Sequence, residues 1–112
     1  RSYECCDKNN PCVCKEMSKF DLIREWALER GLYDKGDVKT QALKLVEEVG
    51  ETCRAILKDN HEDAIDGIGD CVVVLTNLAE LMDHPIEDCI DAAYYEIKNR
   101  TGKMVNGTFK KD

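Results

Sequence analysis

The chain of 112 residues and 12.7 kDa has room for one domain or for one subunit of a small oligomer. Charged residues make up 35% of it and aromatic residues only 6%, which argues against an aromatic-rich β-sandwich, while 43% apolar residues argue against a disordered chain. The net charge of -7 excludes a large nucleic-acid footprint, because binding a duplex needs a basic face. We therefore expect no nucleic-acid polymer among its partners.

No stretch of the sequence has the length and hydropathy of a transmembrane helix. The most apolar run, 71–82, is interrupted by Thr76, Asn77 and Glu80 and is far shorter than the roughly 20 residues that cross a bilayer. Residues 1–19 contain no apolar segment of the signal-peptide type. These patterns predict a soluble, cytoplasmic protein without a membrane partner.

The N-terminal residues 1–17 form a cysteine-rich tail in front of a domain at 18–112. The tail has the pattern CC-x5-C-x-C, with cysteines Cys5, Cys6, Cys12 and Cys14. This spacing does not fit the usual C-x2-C zinc knuckle, and nothing else indicates the oxidising environment that disulfides need. A reduced tail is favoured over a metal site, and the sequence leaves its redox or metal state open.

The first half of the domain has the pattern of two helices. Ser18 is a candidate N-cap, Asp21 at the third helical position completes a capping box, and Gly31 is a typical C-terminal stop. A loop at 32–37 follows, and apolar residues then recur at helical spacing over 38–58.

The second half adds two more helices and a hairpin. Asn60 or His61 caps a helix over 62–82, whose middle is apolar on nearly all sides. The pair His84-Pro85 indicates a cap followed by a first-turn proline, with a helix over 85–100. Asn106-Gly107 predicts a tight turn in the tail.

These elements predict an all-α fold, a four-helix bundle subunit. A helix that is apolar nearly all round needs cover on every side, and four helices in one small chain do not supply it. We therefore expect the core to be completed by oligomerisation, with a homodimer or homotetramer as the assembly.

Acidic pairs on the second and third helices are the candidate metal-binding residues. Glu48 and Glu51 are three residues apart and Asp66 and Asp70 are four apart, so each pair shares one helix face. The helices are predicted antiparallel neighbours, which lets the pairs converge. One such pair is typical of a solvated face, but like charges repel without a cation, and Asp70 adjoins an apolar run where an unpaired carboxylate is costly. A site whose protein ligands are all carboxylates favours Mg²⁺, with Mn²⁺ as substitute. The remaining ligands of Mg²⁺ are commonly phosphate oxygens.

Three segments resemble a known family. QALKLVEEVGE at 41–51 is similar to the first half of an E-x-x-E…E-x-x-D motif, and IGDCVVVL at 68–75 to its second half. The tail EIKNRTGKMVNGTF at 96–109 is closest to short, phage-type members. Over roughly residues 20–111 the chain resembles the MazG-like all-α nucleoside triphosphate pyrophosphohydrolases.

The resemblance implies Mg²⁺-dependent cleavage of a nucleoside triphosphate, preferably a deoxynucleotide, to monophosphate and pyrophosphate by a metal-activated water that attacks the α-phosphorus. By motif matching, Glu48, Glu51 and Asp70 are metal ligands, and Glu48 or Glu51 orients or deprotonates the water. The second glutamate of the pattern falls at Gly67. Asp66 is the natural substitute, because it lies near the face of Asp70.

The candidate substrate contacts are Lys44, Asn77, Lys98, Arg100 and Lys103. Basic residues also stabilise a helix C-terminus whatever the function, and a buried amide such as Asn77 equally makes a core hydrogen bond.

Three other readings remain open at this level. One is a catalytically weakened helical module that binds metal and nucleotide but lacks the glutamate at 67. Another is an interaction protein whose cysteine cluster binds a metal and recruits a partner, with the bundle as a scaffold. Phosphoribosyl-ATP and dUTP pyrophosphohydrolases share the same acidic pattern, but the tail favours the MazG-like family over both.

Overall fold

The computed structural model describes residues 17–112, so the four cysteines of the N-terminal cluster lie outside the described residues. Within this range, five helices precede one β-hairpin: α1 Lys19–Glu29, α2 Leu32–Lys35, α3 Val38–Leu57, α4 His61–Leu81 and α5 Ile86–Ile97, then β1 Gly102–Val105 and β2 Thr108–Lys111. The predicted all-α fold is confirmed. The expected loop at 32–37 is corrected, because it contains the single-turn helix α2.

Capping and stop residues in the sequence correctly predicted several helix ends. The Ser18 side chain accepts a hydrogen bond from the Asp21 N–H, and the Asp21 side chain accepts one from the Ser18 N–H, which is the predicted capping box. Gly31 follows α1 with a φ of 76°, the left-handed conformation of a C-terminal stop. Of the two candidates before α4, Asn60 is the cap, since its side chain accepts from the Asp63 N–H.

The prediction for the start and end of α5 was wrong in detail. Pro85 itself is the N-cap residue and makes no side-chain capping bond. The His84 Nδ1 lies 3.0 Å from the Met82 carbonyl oxygen. The helix ends at Ile97 rather than near residue 100, because the chain then turns towards the hairpin.

The predicted tight turn is confirmed. Asn106 and Gly107 have φ values of 51° and 83°, as two-residue hairpin turns require. The turn joins β1 to β2 as an antiparallel pair in which Met104 lies opposite Phe109.

Helices α3 and α4 make the most extensive contact of the described elements, and α1 also packs on α4. The buried apolar side chains are few: Ala27, Ala55, Val74, Ala79 and Ile86. In the middle of α4, Val72 and Leu75 remain 37% and 38% exposed. The single chain therefore does not supply the cover on all sides that the sequence predicts for this helix.

An ion cluster ties α1 to α5. The Arg24 guanidinium donates to both carboxylate oxygens of Glu87, at 2.8 and 2.7 Å, and to Asp21 at 2.7 Å. These bonds hold the pKa of the Asp21 and Glu87 carboxyls below their usual values. They also raise the pKa of Arg24, chiefly through Glu87, so the arginine stays charged.

We expect Arg24→Met to lower the melting temperature at neutral pH, since it removes the cation that the two carboxylates share. A carboxyl with a lowered pKa in the folded state stabilises the fold above its unfolded pKa of about 4, and this contribution is lost as pH falls through the folded pKa. In thermal melts from pH 7 to pH 3, the difference in melting temperature between wild type and variant should therefore shrink as the pH falls. Arg30→Met, which removes a guanidinium lying over the exposed Trp26 ring, is the control and should show no such pH-dependent gap. A difference in melting temperature between wild type and Arg24→Met that does not change with pH would contradict this account.

None of the helices within residues 17–112 is long and apolar enough to cross a membrane.

Candidate active site

Helices α3 and α4 approach each other closely at Gly67. A Cβ atom built on Gly67 would overlap the Thr52 Oγ1 and lie 2.9 Å from the Thr52 Cβ. The Thr52 hydroxyl in turn donates to the Glu48 carbonyl oxygen at 2.7 Å, so it is fixed against its own helix. Position 67, where the family pattern has a glutamate, thus lies in the seam between two helices and has no room for a side chain.

A cleft of about 530 Å³ opens beside this seam. Glu51 lines it from α3, while Asp66 and Asp70 line it from α4. The structure therefore brings three of the four predicted metal-binding carboxylates to one concave surface, as the antiparallel arrangement of the two acidic pairs predicted. Asp66, the residue next to Gly67, is one of these three, and its substitution for the missing glutamate stays a prediction.

Glu48 is placed differently. Its side chain is only 12% exposed and it is not among the described residues that line the cleft. The Lys44 ammonium lies 3.4 Å from the Glu48 carboxylate, one helical turn away. Lys44, predicted as a substrate contact, is thus the ion-pair partner of a predicted metal ligand, and this compensates a charge that is largely removed from water.

Sequence reasoning missed three charged residues of the cleft: Arg54, Lys58 and Asp63. Glu51, Arg54 and Lys58 are spaced three and four residues apart, as are Asp63, Asp66 and Asp70. This spacing places each set on one helix face, so the signal that located the acidic pairs also pointed to these neighbours. No ion pair within residues 17–112 engages the Arg54 or Lys58 side chain.

The donor set suits a hard cation, because the described residues that line the cleft include carboxylates but no histidine or thiol. Among the described residues, however, no three His, Cys, Asp or Glu side chains are close enough together to form a complete metal site. The carboxylates thus share the cleft without forming a closed ligand cage. A cation held here would have to share its coordination with another group, as Mg²⁺ commonly does with phosphates.

Asn77 lies away from the cleft and is 2% exposed. Its Oδ1 accepts a hydrogen bond of 2.6 Å from the Tyr33 hydroxyl. Burial, followed by the charge of Glu80, raises the pKa of Tyr33, so the phenol remains a donor. The structure shows the core hydrogen bond that was the alternative to a substrate contact.

The C-terminal cations also lie away from the cleft in the single chain. The Lys98 ammonium is 4.2 Å from the centre of the Tyr95 ring. Lys103 on β1 lies opposite Lys110 on β2 in the hairpin. Arg100 is exposed in the turn before the hairpin. The structure does not bring these three residues to the carboxylates.

Two comparisons with known proteins returned a match. The family model for the MazG nucleotide pyrophosphohydrolase domain matches residues 37–105, from the cap of α3 to the end of β1. An uncharacterized 18.2 kDa protein in the rep-hol intergenic region of Haemophilus phage HP1 is 40% identical over 58 residues. That match covers 52% of this chain and 36% of the phage protein, so the chain spans about a third of the length of this relative.

No solved structure matches the chain. The family model covers more than half of the chain and includes the whole of α3 and α4, which carry the cleft. The chain belongs to the MazG nucleotide pyrophosphohydrolase family.

Proposed function

We propose that this protein is a Mg²⁺-dependent nucleoside triphosphate pyrophosphohydrolase that converts a nucleoside or deoxynucleoside triphosphate to the monophosphate and pyrophosphate. The observation that carries the proposal is the cleft in which carboxylates of α3 and α4 face each other beside two cations. Family membership supports the substrate class. The test is the separation of mono- from diphosphate products after incubation with Mg²⁺.

The residues that would hold Mg²⁺, or Mn²⁺ in its place, are Glu48, Glu51, Asp66 and Asp70. A bound ion of this kind neutralises charge on phosphate oxygens and lowers the pKa of a bound water. Glu51 is exposed in the cleft and forms no ion pair in the described part of the chain, so its carboxylate is available to orient the attacking water and to accept its proton.

Arg54 and Lys58 are suited to the polyphosphate. They lie one helical turn apart on the cleft wall, and guanidinium groups bind phosphate oxygens in a bidentate manner. On this proposal the cations neutralise charge on the β- and γ-phosphates while the carboxylates face the α-phosphorus.

We expect Arg54→Gln to raise KM for the triphosphate by about tenfold, since the loss of one charge-assisted hydrogen bond costs on the order of 1.5 kcal/mol or more. The turnover number should fall less, because the carboxylates are unchanged. Lys39→Gln, which removes a cation from the first turn of the same helix and outside the cleft wall, is the matched control and should leave KM unchanged. Steady-state kinetics with Mg²⁺ in excess measure the effect, and equal KM values for the two variants would remove Arg54 from the substrate site.

The remaining predicted contacts do not reach the cleft directly in the single chain. We propose that Lys98, Arg100 and Lys103 approach a triphosphate within a homodimer or homotetramer, because these side chains do not reach the cleft of their own chain. Lys44 would have to exchange its Glu48 partner for phosphate. A contact between Asn77 and a sugar or base stays a prediction. We also propose a cytoplasmic location, where nucleoside triphosphates are available.

Two observations favour a second candidate, a module that binds metal and nucleotide but hydrolyses slowly. Gly67 supplies no carboxylate, and the described residues contain no complete metal site. Tight nucleotide binding in the presence of Mg²⁺ without product formation would support this module over the enzyme.

A further inference from the structure

A second cavity, of about 310 Å³, lies at the turn between α3 and α4. Its lining comes from the last turn of α3, the connecting turn and the first turn of α4: Ala55, Ile56, Asp59, Asn60, His61 and Ala64. Ala55 and Asn60 also line the cleft, so the two cavities are neighbours at the end of the cleft nearest the turn. We name this second cavity the turn pocket.

Hydrogen bonds fix the shape of the turn that forms the pocket. Asp59 has a φ of 58°, and the Asn60 N–H donates to the Ala55 carbonyl oxygen at 2.8 Å, a pattern that closes the C-terminus of a helix. The Asn60 side chain accepts from the Asp63 N–H and donates to the Asp63 carboxylate at 2.8 Å. The wall of the turn pocket is therefore built into the connection between the two helices.

The lining of the turn pocket suits a nucleoside. Ala55, Ile56 and Ala64 supply apolar surface, and the His61 imidazole is a ring on which a base can stack. The Asp59 carboxylate can accept hydrogen bonds from the N–H groups of a base. Within residues 17–112 no hydrogen bond or ion pair engages the side chain of Asp59 or His61, so both are available to a ligand.

The order of charges along the cleft determines which end of a nucleotide points at the turn pocket. On α3 the Glu51 carboxylate comes first, and Arg54 and Lys58 follow towards the turn. With carboxylates at the α-phosphorus and cations at the β- and γ-phosphates, a triphosphate directs its γ-phosphate at the turn. Its own nucleoside then extends in the opposite direction. The helix rises by about 10 Å from Glu51 to Lys58, so the turn pocket lies beyond the γ-phosphate.

The charges at this end of the cleft favour an esterified γ-phosphate over a free one. The carboxylates of Asp59 and Asp63 lie there beside the Lys58 ammonium. A terminal phosphate carries about −1.5 to −2 charges at pH 7, whereas a phosphate esterified on both sides carries a single charge. A γ-phosphate that bears a further group is therefore repelled less by these carboxylates.

We infer that the turn pocket holds a second nucleoside attached beyond the γ-phosphate, so that the ligands of the cleft include dinucleoside polyphosphates. This deepens the proposed function by naming a substrate class, and it rests on that function. In diadenosine tetraphosphate the water oxygen bonds to the α-phosphorus, and the bond from this phosphorus to the α–β bridging oxygen breaks. The bridging oxygen leaves with the electron pair as part of ATP, Glu51 accepts a water proton, and AMP is the other product.

The first test compares diadenosine tetraphosphate with ATP in wild type and in Ala64→Phe, which fills the turn pocket without changing a charge or a residue that lines the cleft. Wild type should release AMP and ATP as first products from the tetraphosphate. In Ala64→Phe the ratio of kcat/KM for the tetraphosphate to kcat/KM for ATP should fall about tenfold, as expected for loss of one stacked base. Ala42→Phe, the same exchange near the other end of α3, is the control and should leave this ratio unchanged.

Two results of this comparison would overturn the inference. An unchanged ratio in folded Ala64→Phe would show that no second nucleoside occupies the pocket. Equal losses of kcat/KM for both substrates would show that the pocket takes the nucleoside of the triphosphate itself.

A second measurement needs neither a variant nor turnover. Titration calorimetry with wild type and Mg²⁺ compares analogues of ATP and of diadenosine tetraphosphate in which a methylene group replaces each α–β bridging oxygen, so that neither is cleaved. The tetraphosphate analogue should bind about tenfold more tightly, because its second base is stacked. Equal affinities in a protein that cleaves ATP would overturn the inference and leave the proposed function intact. Tighter binding of the tetraphosphate analogue by a protein that cleaves neither nucleotide would support the pocket and overturn the enzyme.

Discussion

Replacing Glu51 by Gln should reduce the turnover number by about 10²–10⁴-fold, the range for loss of a positioned acid–base group. The substitution keeps the size of the side chain and removes the charge that would hold a cation and accept a proton from water. Glu51 is exposed in the cleft, so the fold should not depend on it. The rate of product formation from a preferred triphosphate measures the effect on turnover. A thermal melt of the same sample measures the effect on stability.

The matched control is Glu47→Gln, which removes the same charge from the same helix. Glu47 is exposed and is not among the described residues that line the cleft. Turnover should therefore remain within a few-fold of wild type. If both variants lost activity equally, the effect would come from the net charge of the helix, and if Glu51→Gln remained fully active, Glu51 would have no part in the mechanism.

Restoring the glutamate of the family pattern by Gly67→Glu should destabilise the protein rather than improve the enzyme. The first side-chain atom at position 67 would overlap the Thr52 hydroxyl, and overpacking of this kind costs about 1–3 kcal/mol or more. Because the seam aligns Glu51 with Asp66 and Asp70, separating the helices should also disrupt the cleft. Chemical unfolding measures the loss of stability, and product analysis measures the loss of turnover.

Gly69→Glu is the control for this prediction. Gly69 lies on the same helix, and a Cβ there would meet no atom within 4 Å. Replacing a helical glycine at such a position should stabilise the helix by roughly 0.5–1 kcal/mol. A Gly67→Glu protein that folds as stably as Gly69→Glu and turns over faster than wild type would contradict the close approach of α3 and α4.

Features that depend on a few neighbouring residues were predictable from the sequence. The capping box of Ser18 and Asp21, the stop at Gly31 and the turn at Asn106-Gly107 each result from bonds or backbone angles within about four residues. The single-turn helix α2 was missed, because four residues carry too little periodicity to be recognised. Pro85 was placed one position too far into its helix, since a proline is compatible with either position.

The relation between α3 and α4 was predictable only in part. Spacing alone placed Glu51 with Asp66 and Asp70, but the close contact of Gly67 with Thr52 depends on how two antiparallel helices align along their lengths. Periodicity also shows that a face is apolar without showing what covers it. Val46, Val49 and Ile56 belong to the apolar repeat over 38–58, yet the single chain leaves them exposed. Charged neighbours such as Arg54 lacked a family motif to draw attention to them.

The most direct test of the central proposal is chromatographic analysis of each nucleoside and deoxynucleoside triphosphate after incubation with the full chain and Mg²⁺. The account predicts monophosphate and pyrophosphate in equal amounts from at least one triphosphate, a reaction that Glu51→Gln slows by about a hundredfold or more and Glu47→Gln retains. Diphosphate with orthophosphate would place the attack at the γ-phosphate and contradict the proposal. No product from any triphosphate would also contradict it, and the nucleotide-binding module would then be the better description of the cleft.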